Sequence, residues 1–278
     1  MCIRDRYGTH GFAYNPLSIS QQNMAQGKAV TTQVYQIADT LDKIFTLGDQ
    51  QKANLRFAMF RAYEDRGLSR QSTEFPNDYI PPSFETIFNI IEQQVEDTKL
   101  LNRLAPIRDF NLFSSGAGSL QSLIETSNII SLGKGLSDEM KEVCAEFLLR
   151  GVYETLASAG SYNGIRLAIF VDEAHRIANL DSVKILLKEA RMFGGAVFLS
   201  TQEAGDLDAP IYANAETVTS FQLKETRDSK KVAELFTTTS KAQELADKIR
   251  ALQPHHAYIK NAHHKRCVPH KVLSLEER

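Results

Sequence analysis

The chain has 278 residues, 42% of them hydrophobic, which suffices for one large core and argues for a single α/β domain. A formal net charge of −2 excludes a global basic field, so any nucleic-acid contact has to come from local loops multiplied by symmetry. Cys2, Cys144 and Cys267 are odd in number and far apart, which excludes a disulfide framework and fits a reducing cytoplasm; no run approaches the ~20 apolar residues of a membrane span, and no cleavable signal is visible.

In chain order, Val34, Ile37, Ala38, Leu41, Ile44 and Phe45 predict an amphipathic helix ended by Gly48. A second helix is expected from Asp49 to about Arg66, with Leu55, Ala58, Met59 and Ala62 inward. A polar, proline-containing loop spans 67–83, and Pro81-Pro82-Ser83 precedes a helix carrying Phe84, Ile87, Phe88, Ile91 and Val95 on its apolar side. This helical stretch, about 49–105, reads as an insertion on the edge of the core, structural in preference to DNA-binding. Ser127–Leu132 predicts a core strand, and Ser137 caps a long helix through Val143, Phe147, Leu148 and Val152.

Leu167–Val171 is a run of apolar residues closed by Asp172 and Glu173, the pattern of a buried parallel strand with two carboxylates at its tip. Burying an unpaired acid costs several kcal/mol, so the pair points to a held cation or water. The alternative is a strand ending at a polar loop, or a helix that takes Asp172 as its cap. Asp181 as N-cap, Val183, Leu186, Leu187 and Ala190 at helical spacing, and the stop Gly194-Gly195 complete a helix, and Ala196–Leu199 forms a second buried-type strand ending in Ser200-Thr201-Gln202. In P-loop ATPases of the additional-strand class the first carboxylate fixes a magnesium shell, the second polarises the attacking water, and an amide on the neighbouring strand senses the γ-phosphate. Arg191 is either a cation favoured by a helix C-terminus or a group that reaches a neighbouring subunit's phosphates. Further on, Thr217–Leu223 predicts a strand, Ser240 with Gln243 a capping-box helix to about Leu252, and Ala257–Lys260 and Val268–Leu273 two short strands. His255, His256, His263, His264 and His270 cluster late, but no carboxylate or cysteine completes a ligand set, and no metal is expected there.

The block from Ile165 to Phe236 resembles the HerA/FtsK branch of P-loop motors, most closely HerA-type ATP-binding proteins. It contains Leu167–Arg176, Lys188-Glu189-Ala190-Arg191-Met192-Phe193-Gly194, Leu199-Ser200-Thr201-Gln202 and Asn214-Ala215-Glu216-Thr217. Asn15-Pro16-Leu17, Ile37–Leu41 and Ile44–Gly48 are similar to the stretch after the family's second core strand. The resemblance implies an α/β, RecA-like P-loop NTPase with a mostly parallel sheet flanked by helices. It implies ATP and Mg2+ as cofactors, with Asp172 as the metal residue and Glu173, Gln202 and Arg191 as catalytic ones. It also implies a cytoplasmic homo-hexamer moving double-stranded DNA through its pore as a translocase or helicase, in some cases with a nuclease partner and without a membrane. A two-lobed DEAH-box helicase is rejected, since too little chain follows Asp172-Glu173-Ala174-His175, and His175 reads as a helix-start residue.

No Gly-x-x-x-x-Gly-Lys-Ser/Thr occurs; Gly116-Ala117-Gly118-Ser119 and Gly133-Lys134-Gly135 read as turns. The expectation is an ATPase core over 8–278 lacking its N-terminal Walker A portion, inactive as given, with residues 1–6 non-native. A conjugative-transfer or secretion motor and a non-catalytic ring scaffold are the alternatives.

Overall fold

The computed structural model describes residues 14–25, 27–113, 120, 127–132, 135–237, 239–261 and 268–273, and the backbone of 3–6. The chain divides into two compact units, Met1–Gly160 and Ser161–Arg278.

In the first unit, β1 (Ile3–Arg6) pairs in parallel with β2 (Asn128–Ser131). The rest of its regular structure is helical: α1 (Gln21–Ala25), α2 (Ala29–Phe45), α3 (Asp49–Glu64), α4 (Phe84–Ile90), α5 (Thr98–Asp109) and α6 (Asp138–Ser158). The apolar spacing seen in the sequence faces the core, with Val34, Ile37, Ala38 and Leu41 of α2 and Leu55, Ala58, Met59 and Ala62 of α3 all buried. Gly48 does not end α2: Thr46 terminates it in the left-handed region, and Gly48 starts α3, its N–H donating to Gln51 Oε1 at 3.0 Å. The difference follows from Arg103, whose Nη1 donates to the carbonyls of Phe45 and Thr46 at 2.7 and 2.8 Å and satisfies the helix end from outside. Ser83 and Ser137 cap α4 and α6 as expected, accepting from the N–H of Thr86 and Met140. After Ile90 the helix widens into one π-helical turn, Ile91–Val95, closed by the left-handed Glu96, and Asp97 then caps α5.

Packing in this unit centres on three rings from distant positions: Phe84 lies 5.4 Å from Phe113 and 6.4 Å from Phe147, and Phe113 meets Phe147 edge-on at 5.5 Å. Burial beside them pushes the Cys144 thiol up to about 12, which leaves it a small apolar filler. β2 is not a buried core strand, since its residues alternate between half-buried and exposed.

The second unit holds β3 (Leu167–Val171), α7 (Asp181–Glu189), β4 (Gly195–Leu199), α8 (Ala209–Asn214), β5 (Val218–Ser220), α9 (Thr226–Phe236), α10 (Thr239–Arg250), β6 (His256–Lys260) and β7 (Pro269–Lys271). β3 and β4 are parallel, whereas β5, β6 and β7 form a separate antiparallel sheet in that order. Among the described residues the strands therefore form two parallel pairs and one antiparallel sheet, not one mostly parallel sheet. Helix α7 begins one residue after Leu180, which occupies the cap position; Asp181 sits instead in the first turn, where its charge complements the helix dipole. Ser240 lies inside α10, which already starts at Thr239, and the Gln243 side chain donates to Asp247 Oδ1 at 3.2 Å. The expected strands at 217–223, 257–260 and 268–273 are present in shortened or shifted form, and His255 lies in a left-handed turn before β6. Cys2, Cys267, His263, His264, Gly116-Ala117-Gly118-Ser119, Gly133 and Lys134 lie outside the described residues. No helix among the described residues is long and apolar enough to cross a membrane.

Removing the ring that the aromatic cluster shares should be costly: Phe147→Ala is expected to lower stability by about 3–5 kcal/mol. Urea denaturation of the chain, followed through the helical signal, measures it.

Candidate functional site

The five residues of β3 align one to one with those of β4, from Leu167 opposite Gly195 to Val171 opposite Leu199. The ladder continues past the strands: Ser200 N–H donates to Val171 carbonyl at 2.9 Å, and Ala174 N–H donates to Ser200 carbonyl at 2.8 Å. Two turns are thereby stapled side by side, with Asp172-Glu173 on one and Ser200-Thr201-Gln202 on the other. The pair is less covered than a core strand should be, since Phe170 is 74% and Phe198 48% exposed, their rings stacked at 4.5 Å. Among the described residues this sheet consists of β3 and β4 alone.

Asp172 Oδ1 accepts from Ser200 Oγ at 2.6 Å and from the N–H of Glu173 at 3.1 Å. These two bonds, the hydroxyl first, hold its carboxyl below the usual carboxylate range and keep it ionised. Both fall on Oδ1. Asp172 does not cap a helix; the following turn, Ala174–Arg176, is a short 3-10 segment that has Glu173 at its cap position. Glu173 adopts φ 51° and ψ 45°, a left-handed conformation that costs a residue with a Cβ roughly 1–2 kcal/mol. Its carboxylate Oε1 accepts from Gln202 Nε2 at 2.8 Å, so the second acid and the amide of the neighbouring strand meet directly.

Sequence reasoning gave no role to Ser200, Thr201 or His175. His175 lies in the short 3-10 helix Ala174–Arg176, in keeping with the helix-start expectation, and in addition its Nδ1 lies 3.1 Å from Thr201 Oγ1 and bridges the two turns. The available signal was the polar triplet itself, which only the strand register aligns with the acids. Glu203 and Asp206 lie nearby, and a hydrogen bond shared with Glu203, followed by the Arg227 guanidinium, holds Asp206 below the usual carboxylate range. Among the described residues no three His, Cys, Asp or Glu side chains group tightly enough to cage a metal. A hard cation here would need oxygens from outside the protein.

Arg191 is not brought to this cluster. It sits in the 3-10 turn Ala190–Phe193 before β4, at the opposite end of the strand from Ser200, separated by a β4 length of about 16 Å at ~3.3 Å per residue. Its side chain is 88% exposed and pairs with Glu216 at 3.0 Å. It lines an open depression with Tyr162, Lys188 and Met192.

Residues 140–267 match the family model described as the Type IV secretion-system coupling protein DNA-binding domain. No curated protein matches the chain in sequence. Among solved structures, VirB4 of Thermoanaerobacter pseudethanolicus superposes with a TM-score of 0.68 at 14% identity, covering 96% of this chain and 76% of that one. The bacterial conjugative coupling protein TrwB gives a TM-score of 0.58 at 12% identity, covering 98% and 73%. TrwB in complex with the non-hydrolysable GTP analogue GDPNP gives 0.57 at 14% identity, covering 98% and 73%. The chain therefore shares the α/β fold of VirB4 and TrwB. The family description falls on a secretion-system coupling protein, the alternative expectation, and not on HerA-type proteins.

If the Ser200 hydroxyl is what stabilises the ionised Asp172, Ser200→Ala should raise the Asp172 pKa toward the ordinary carboxylate value. The folded-state pKa is depressed, so the stability this bond contributes is present above the unfolded pKa and is lost as pH falls through the folded one. The variant should therefore lose stability at neutral pH and converge on the parent as pH falls through the folded-state pKa. A carboxyl-carbon NMR titration of both proteins measures the shift.

Proposed function

We propose that this chain is part of the ATPase core of a transfer motor of the conjugative-coupling and secretion type, which uses ATP hydrolysis to move DNA. The observation that carries the reading is the convergence of Asp172, Glu173, Ser200 and Gln202 on two registered parallel strand tips. The match of residues 140–267 to a coupling-protein domain supports the same reading. The RecA-like, additional-strand description, the homo-hexameric ring, double-stranded DNA as cargo, a nuclease partner and a cytoplasmic setting belong to the proposal as expectations of the resemblance.

The residues fit the cofactors in part. Magnesium commonly takes one or two carboxylates and completes its shell with waters and phosphate oxygens, so a single ionised aspartate with both its intramolecular bonds on one oxygen is a suitable donor. When bound, the ion neutralises charge on the phosphates. Asp172 would hold that shell. Glu173 would accept a proton from the attacking water, and Gln202, now bonded to Glu173, would turn to the γ-phosphate when nucleotide is present. Nothing in the sequence supplies the glycine cradle and lysine for the β- and γ-phosphates. Arg191, remote from the cluster and exposed, is suited to act on the nucleotide of a neighbouring copy, where a fixed guanidinium stabilises transition-state charge.

In a full-length protein carrying this chain, Glu173→Gln should retain ATP binding while turnover falls by about a hundredfold or more. Unchanged hydrolysis in a phosphate-release assay refutes the role. Arg191→Ala should likewise leave binding intact and abolish turnover, and mixing it with Glu173→Gln subunits should restore a fraction of activity. Absence of any restoration argues against action across a subunit boundary.

A further inference from the structure

We propose that His175 is a positioning residue for Glu173, clamping the turn after β3 to the tip of β4 so that the carboxylate keeps its place when Gln202 leaves it. The inference rests on the reading of Glu173 as the group that activates water.

The geometry is that of a bridge and not of a solvated turn residue. The His175 side chain is 12% exposed, although it follows an open strand end. Its Nδ1 contacts Thr201 Oγ1 at 3.1 Å and stands 3.6 Å from Glu173 Oε2, while Nε2 stands 3.7 Å from Glu203 Oε1. Thr201 is itself held, because its Oγ1 accepts from the N–H of Glu203 at 3.0 Å. One imidazole thus touches a fixed hydroxyl on the β4 side and faces a carboxylate on each turn.

Glu173 needs such a clamp for two reasons. Its left-handed backbone persists only if surrounding contacts over-determine it. Its carboxylate is bonded directly only on Oε1, by the Gln202 amide, while Oε2 stands 3.6 Å from His175 Nδ1, beyond hydrogen-bond length. A glutamine that senses phosphate has to give up its bond to Glu173. The bridge from His175 to Thr201 then remains to hold the turn that carries Glu173, and an error of about 1 Å in the base is enough to cost a hundredfold in rate.

The test uses the full-length protein with His175→Phe, His175→Asn, Thr201→Val and the reference variant Glu173→Gln. For His175→Phe, kcat should fall by about tenfold or more while KM for ATP changes by less than about twofold. His175→Asn, which restores a polar atom near the Nδ1 position, should recover a substantial part of kcat. Amide exchange at 173–175 and 201–203 should speed up in the Phe and Val variants without nucleotide, with exchange in α7 unchanged. Should His175→Phe misfold, Thr201→Val removes the same bridge from the other side. The proposal is overturned if kcat and local exchange are unaltered in both the His175→Phe and Thr201→Val variants, or if Phe and Asn at position 175 lower kcat equally. A dead Glu173→Gln with a normal His175→Phe sinks the clamp alone, whereas a fully active Glu173→Gln removes the underlying reading and the clamp with it.

Discussion

The register between β3 and β4 is the constraint from which the candidate site follows. A strand alternates its side chains with a period of two, so a slip of one residue would turn Ser200 and Gln202 away from Asp172 and Glu173. Two main-chain bonds beyond the strands, from Ser200 to Val171 and from Ala174 to Ser200, extend the ladder into the turns. The side-chain contacts between Asp172 and Ser200, Glu173 and Gln202, and His175 and Thr201 all lie along this seam. None of them is local in sequence; each spans 26 to 29 residues.

Electrostatics then gives the site its chemical character. Four acids, Asp172, Glu173, Glu203 and Asp206, lie within a short stretch of two neighbouring turns, with the imidazole of His175 between the two glutamates. Hydrogen bonds from a hydroxyl and a backbone N–H keep Asp172 ionised without neutralising it, an arrangement that suits a carboxylate meant to meet a cation together with phosphate oxygens. Glu173 differs, since it is held by an amide that can leave. Two adjacent acids are thereby held by different partners.

Much of the secondary structure was legible because burial imposes periodicity. Val34, Ile37, Ala38 and Leu41 mark α2, and Leu55, Ala58, Met59 and Ala62 mark α3, with no other arrangement able to bury them together. Ser83 and Ser137 announce their helices through a local hydrogen bond, which needs only three residues of chain. The end of α2 was not legible, because Arg103 completes it from 57 and 58 residues away. The exposure of Phe170 and Phe198 was hidden for a similar reason: an apolar strand looks buried until the number of its neighbours is known. Nor could the position of His175 be read, since its partner Thr201 lies on the next strand.

By itself the sequence determined the positions of the strongly periodic helices, that two acids end one apolar strand, and that a Ser-Thr-Gln triplet ends the next. Those facts depend on short-range periodicity and on residue chemistry. Only the tertiary structure decided that the two tips stand in register, that Gln202 holds Glu173, that His175 joins the turns, and that Arg191 stands apart at the far end of β4. Pairing between strands is set by hydrogen bonds across long loops, and no local pattern of residues encodes which partner a strand tip will meet.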